Sequence, residues 1–149
     1  MSKPTIRRAT REDLPAIVAM LADDDLGKAR EAPGDPCYAK AFDAIAADPN
    51  QFLAVVDDGG AVVGCFQLSF IPGLSLKGMW RGQIESVRIA ASRRGQGLGR
   101  LMIGWAIDES RRRGCGLVQL TMNKSRKDSH RFYESLGFEA THEGFKLVL

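Results

Sequence analysis

Cysteine and histidine are scarce in this chain, and each shortage removes a class of function. The three cysteines among 149 residues, Cys37, Cys65 and Cys115, are odd in number and scattered. They build neither a disulfide framework nor a CxxC metal knuckle. With only two histidines besides, His130 and His142, no metal site is expected. Long apolar runs are missing too: none approaches the roughly 18 residues that span a bilayer. The first residues, up to Thr5, show no apolar signal-peptide core, so no membrane partner is expected and the cytoplasm is the expected location. Charge of one sign is also lacking. Twenty-one basic against 18 acidic residues leave a net charge of +3, too little to require a nucleic-acid partner.

What remains is the composition of an ordinary globular domain, 44% hydrophobic and 26% charged, which excludes disorder and fibrous structure. The length suits one domain over residues 1–149. Thr5 to Arg8 reads as a first strand. Thr10 and Asp13 look like a helix cap and its acidic third position, ahead of Leu14, Ile17, Val18 and Leu21 at helical spacing. After a polar stretch, Tyr38 to Ala47 reads as a second helix closed by Asp48-Pro49-Asn50. Gln51 to Val56 and Ala61 to Ile71 form a hairpin around Asp57-Asp58-Gly59-Gly60. Another strand covers about Gln83 to Ile89, a helix follows Gly99 and ends near Gly114, and Leu117 to Met122 is the next strand. Asp128 to Leu136 is a last helix, stopped by Gly137, and Phe138 to Thr141 and Phe145 to Leu149 are expected to pair as a closing hairpin. Helices return between strands, so the fold class is α/β, built on one mixed sheet.

Chemistry concentrates after the strand ending at Ile89. There Arg93-Arg94-Gly95-Gln96-Gly97-Leu98-Gly99-Arg100 leads into a helix. A helix N-terminus offers unpaired N–H groups and the positive end of a dipole, glycines let a diphosphate approach the backbone, and arginines add forked donors. The dinucleotide fingerprint GxGxxG does not fit, because the third glycine comes one position early, and no Gly-Lys-Ser/Thr is present for a Walker loop. A glycine-rich surface turn with solvated arginines is the plain alternative.

The run Arg94-Gly95-Gln96-Gly97-Leu98-Gly99 resembles the Q/R-x-x-G-x-G/A signature of the Gcn5-related N-acetyltransferase (GNAT) superfamily. Arg131-Phe132-Tyr133-Glu134-Ser135-Leu136-Gly137-Phe138 is similar to its second hallmark, F-Y-E-x-L-G-F. The likeness extends to the order of elements over nearly the whole chain. It implies a GNAT-like, mostly antiparallel mixed sheet with splayed fourth and fifth strands flanked by helices. It also implies acetyl-CoA as cosubstrate and no metal. On this resemblance Val87, Arg88 and Ile89 pair with the pantetheine arm. The N–H groups from Arg94 through Gly95, Gln96, Gly97, Leu98 and Gly99 to Arg100 receive the diphosphate. Asn123 and Ser129 flank the cofactor. Arg126 stands where many members have asparagine, a departure that leaves its role open.

The same resemblance makes Tyr133 the general acid for the departing thiolate, the alternative being that it only packs against the cofactor. Glu85 is the expected base, with Gln83 or a water chain as alternatives; Glu85 could also be a structural partner of Arg81 or Arg88. Cys65 reads as a small buried hydrophobe rather than a nucleophile, so direct attack in a ternary complex is expected, with backbone N–H groups near Ile89 stabilising the developing charge. Asp23-Asp24-Asp25 and Glu31 could attract a cationic amine or be a solvated loop. Phe70, Trp80 and the Pro72-Gly73-Leu74 loop could line an acceptor site or a homodimer contact. The expected function is transfer of an acetyl group to a primary amine of a small molecule. The rival readings are an acceptor amine on a peptide or protein, and a regulatory module that binds acyl-CoA without turning it over. A DNA-binding regulator built on the arginine clusters is disfavoured by the apolar face of the helix after Gly99.

Overall fold

Alternation along the strands sets the framework of the computed structural model, which describes residues 3–149. The described residues fall into two compact units, one up to Gln119 and one from Leu120 onward. Five strands among them make one sheet in the order β1-β2-β3-β4-β5. They are β1 (Thr5–Arg8), β2 (Gln51–Asp58), β3 (Ala61–Ile71), β4 (Trp80–Ile89) and β5 (Cys115–Leu120). The first three pairings are antiparallel, and β5 runs parallel to β4. The mostly antiparallel mixed sheet expected from the sequence is therefore present.

Even-numbered residues of the three central strands face one helix. Ala54, Val56, Phe66, Leu68 and Ile84 are buried, and Trp105 of α5 (Leu98–Arg112) lies 5.0 Å from the Phe52 ring and 5.9 Å from Phe66. Helix α5 turns Leu98, Met102, Ala106 and Ser110 inward at four-residue spacing, the stripe of an amphipathic helix. Its approach to β4 is close: a Cβ at Gly82 would stand 2.4 Å from Ser110 Oγ. Ser110 is itself buried and donates its hydroxyl to Ala106 O at 2.8 Å.

Odd-numbered residues face the other way. Val55 and Cys65 form a second cluster with Ala9 and with Ile17 and Met20 of α1 (Leu14–Ala22). Before α1 a 3-10 turn, Arg11–Asp13, carries the expected cap. Thr10 N donates to Asp13 Oδ2 at 2.7 Å, and Arg7 donates to both Asp13 oxygens at 2.7 and 3.0 Å. These bonds, Arg7 first, hold the Asp13 carboxyl below its ordinary value although burial opposes them. The remaining helices are α2 (Gly27–Arg30), α3 (Cys37–Ala47), a four-residue turn α4 (Ser75–Gly78) and α6 (Lys127–Ser135). Helix α2 lies within the polar stretch of the sequence, where a single helical turn shows no periodicity.

The strand pairing holds one irregularity with consequences. Gln67 is opposite Glu85, but the next partners are Cys65 and Arg88, so β4 spends one more residue than β3. The extra residue is a β-bulge, and Ser86 within it has a left-handed φ of 56°. The phase of β4 changes there, and Glu85 and Arg88 come to share a face.

In the unit from Leu120 onward, α6 is followed by Gly137 at φ 94°. The closing hairpin expected from Phe138 to Leu149 is not formed: no strand occurs after β5 among the described residues. Phe145, Leu147, Val148 and Leu149 are fully exposed. Their alternation is strand-like, but an isolated two-stranded hairpin is marginal without a partner sheet.

Two outcomes are expected from this packing. Gly82→Ala should lower unfolding free energy by about 1–3 kcal/mol, and Ser110→Ala in the same chain should recover much of the loss, read by denaturant titration as a double-mutant cycle. Folding lowers the proton affinity of Asp13, so its contribution is complete above the unfolded value of about 3.9 and is lost as pH falls through the lower folded value. Asp13→Asn should therefore flatten the acid-side fall in stability that begins below about pH 5 and continues beneath the unfolded value.

Candidate active site

The strand β4 and the loop that follows it carry most of the residues expected to act. After Ile89 the chain makes a short 3-10 turn, Ala91–Arg93, and then rises into α5 with Gly95 at φ 76° and Gly97 at φ 82°. A Cβ at either glycine would meet no protein atom within 4 Å. The left-handed backbone, rather than crowding by the protein, is what requires glycine here, and the space in front of the loop stays open. Among the described residues no backbone carbonyl takes the N–H groups of Arg94, Gly95, Gln96 or Gly97. The loop is thus a concavity of donors at the positive end of a fifteen-residue helix, suited to a diphosphate.

The arginines divide their work. Arg93 does not face a ligand: it donates to Asp58 Oδ2 at 2.6 Å and to Gln96 Oε1 at 2.8 Å, tying the loop to the hairpin between β2 and β3. Arg94 is exposed, with Asp23 O at 3.5 Å and Asp23 Oδ2 at 3.9 Å as its contacts. Arg100 is exposed in the first turn of α5. Leu98 is buried and anchors the start of that helix, while Gly99 follows it.

On β4 the bulge places Val87, Arg88 and Ile89 at the strand's end. Arg88 Nε stands 3.1 Å from Asp24 Oδ2 in a largely buried ion pair, with no acceptor aligned for a hydrogen bond to that Nε–H. Asp24 also accepts from Gly27 N, and Glu31 accepts from the Tyr38 hydroxyl at 2.9 Å. The acidic stretch therefore clamps α1 and α2 to β4 and to the loop. Asp24 and Glu31 are engaged in the fold, while Asp23 and Asp25 are exposed.

Glu85 is solvent-exposed on the α1 side of the sheet. It is bound to neither Arg81 nor Arg88; its contact is the Ser69 hydroxyl at 3.5 Å. Ser69 and Gln67 both reach Gln51 Oε1, at 2.9 and 2.8 Å, and Gln83 accepts from Gln119 Nε2 at 3.0 Å. A row of neutral polar side chains thus crosses the sheet beside Glu85. Gln83 belongs to this row and, as an amide, offers no basic group. The row was not singled out in the sequence, since its members come from four strands and only the register aligns them. Phe70, expected near an acceptor, lies on the opposite face, 3% exposed and covered by the Arg113 guanidinium at 4.1 Å. Even-odd alternation carries it away from Glu85. Burial pushes the Cys65 thiol up to about 12, which keeps it protonated and unreactive.

In the unit from Leu120 onward, the Tyr133 ring makes edge contacts with Phe132 at 5.2 Å and Phe138 at 5.7 Å. Asn123 caps a turn: its Oδ1 accepts from Ser125 N at 3.0 Å and Ser125 Oγ at 2.7 Å. Ser129 lies half-buried on α6, and Arg126 precedes that helix. Among the described residues no cluster of three or more metal-ligating side chains occurs, and no helix is long and apolar enough to cross a membrane.

Comparison with known proteins fits this geometry. The model of the acetyltransferase (GNAT) family matches residues 16–138. An aminoalkylphosphonate N-acetyltransferase of Salmonella typhimurium is 29% identical over 144 residues, 97% of this chain and 90% of that protein. A glucosamine 6-phosphate N-acetyltransferase of Trypanosoma brucei brucei is 38% identical over 90 residues, 60% of this chain and 59% of that protein. A crystal structure from Bacillus halodurans C-125, described as that of a transcriptional regulator, superposes with a TM-score of 0.95 at 47% identity, covering 99% of this chain and all of the other. With the donor loop, the bulged strand and the F-Y-E-x-L-G-F helix in place, the chain belongs to the acetyltransferase (GNAT) family.

Proposed function

We propose that the protein moves an acetyl group from acetyl-CoA to the primary amine of a small molecule, both units acting as one catalytic domain. The observation that carries this reading is the left-handed Gly95–Gly97 loop, open in front and opening α5 directly after the strand that bears Glu85. Two of its relatives are named for small amines, an aminoalkylphosphonate and glucosamine 6-phosphate, which favours a small acceptor over a peptide. Acetyl-CoA supplies the activated thioester.

The loop N–H groups with Arg94 and Arg100 hold the diphosphate, and the backbone of Val87, Arg88 and Ile89 aligns the pantetheine arm as an added strand. Asn123 and Ser129 flank the cofactor's other side. A protonated amine cannot attack, so Glu85 takes a proton from the amine nitrogen, directly or through water. The C–N bond forms as the C–S bond breaks, Tyr133 gives its proton to the leaving sulfur, and the second proton of the new amide nitrogen leaves through water, which reprotonates Tyr133. Acceptor and thioester react in one ternary complex, with the buried Cys65 thiol taking no part.

A second reading has one specific support, the description of the relative that is 47% identical as a transcriptional regulator. On that reading the chain senses acyl-CoA and regulates without turnover. It requires acetyl-CoA binding without thiol release for any amine. Regulation through DNA would add binding that weakens steeply with salt.

Thiol release from acetyl-CoA, measured against a panel of amines that includes 2-aminoethylphosphonate and glucosamine 6-phosphate, separates these readings. Turnover should appear with at least one amine, and Tyr133→Phe and Glu85→Gln should each lower kcat by about 100-fold or more, with the KM for acetyl-CoA little changed. Unchanged kcat in both variants would remove the assigned acid and base. Arg94→Ala with Arg100→Ala should instead weaken acetyl-CoA binding about tenfold and reduce its dependence on salt.

A further inference from the structure

Two helices face each other across the Glu85 side of the sheet with the same spacing. Helix α1 presents Leu14, Ile17, Val18 and Leu21, and α3 presents Tyr38, Ala41, Phe42 and Ile45, both at i, i+3, i+4, i+7. Stripes of this kind ordinarily close on each other and on the sheet. Here they do not. No residue of α3 is buried, and a cleft of about 160 Å3 remains between the two helices. An unfilled apolar cleft forfeits the contacts its lining would make.

The floor of the cleft leads to the site. It is formed by Leu53, Cys65, Gln67 and Ser86. Gln67 is directly opposite Glu85 in the strand register, and Ser86 is the bulge residue that follows Glu85. Gln67 and Ser86 therefore lie beside the carboxylate, while the walls are aliphatic and aromatic apart from the Tyr38 hydroxyl, which donates to Glu31. No lysine, arginine, aspartate or glutamate lines the cleft, so a phosphate or phosphonate would find no counter-charge in it. Apolar cavities of about 150 Å3 take a ring the size of benzene.

We infer that this cleft receives an apolar group of the acceptor, and that the acceptor class is a primary amine bearing a phenyl or branched aliphatic group a few bonds from its nitrogen. This rests on the acetyltransferase reading, and it adds what that reading leaves open, the part of the substrate that does not react. The amine lies at Glu85 and Ser86, and the apolar group slides between α1 and α3. Binding energy from that group orders the amine for attack.

The test compares phenethylamine with ethylamine, which share a reacting group and differ in what fills the cleft. Calorimetry in the presence of coenzyme A and thiol release from acetyl-CoA are both read, for the natural chain and for Ala41→Trp. Ala41 is exposed on α3 at the edge of the cleft, so an indole there fills the space without entering the core, and a thermal melt checks that the variant folds. Phenethylamine should bind and react, by kcat/KM, at least about tenfold better than ethylamine. In Ala41→Trp that ratio should fall by about the same factor, through KM rather than kcat. Equal binding and equal kcat/KM for the two amines overturn the inference, while continued turnover of ethylamine leaves the acetyltransferase standing. Thiol release from no amine sinks the enzymatic reading, and with it the acceptor role of the cleft.

Discussion

The bulge in β4 is the constraint on which the active-site side of the molecule depends. A regular strand would send Glu85 and Arg88 to opposite faces. With Ser86 at φ 56° taking up the extra residue, both face α1. Glu85 meets the polar row through Ser69, and Arg88 meets Asp24 and so fixes the end of α1. A left-handed serine is strained by a cost of order 1–2 kcal/mol. The surrounding register holds it there, because buried Cys65 and Ile84 on either side fix the strand pairing. Without the bulge, carboxylate and clamp could not face the same side of the sheet.

The second fixed point is the loop before α5. A Cβ at Gly95 or Gly97 would meet no protein atom, yet the segment around them is braced: Arg93 bonds Asp58 and Gln96, and Leu98 is buried. A donor concavity whose arms are pinned and whose mouth is open needs little reorganisation to receive an anion. The helix behind it is held by packing against Phe52, Phe66 and Gly82, so the position of the loop follows from the apolar face of the sheet. Fold and site are one set of contacts here.

Much of this was legible in the sequence, for identifiable reasons. Strands β1 and β3 coincide with their readings, and α1, α3 and α6 agree within a few residues. Their caps, turn glycines and alternation are local signals, and the glycine loop is local too. The misses share another cause. The bulge leaves only a break in alternation at Glu85-Ser86-Val87-Arg88, which becomes a bulge once β3 is laid beside it. The row of Gln51, Gln67, Ser69 and Gln83 comes from three strands, with Gln119 from a fourth, and composition cannot align them. Phe70 shares the buried face of Phe66 and Leu68, away from Glu85, and the closing hairpin rests on local signals alone, which do not by themselves hold two strands together. The stripe of α1 is legible in the sequence, but not its gap to α3, since their closure is a tertiary matter.

The most direct measurement of the central claim is the response of backbone amides to acetyl-CoA, followed by NMR on isotopically labelled protein. The account predicts saturable binding with the largest shifts in the amides from Arg94 to Arg100, and smaller ones at Val87 to Ile89. Saturable binding that leaves the Arg94–Arg100 amides unmoved, or no binding at all, would contradict it.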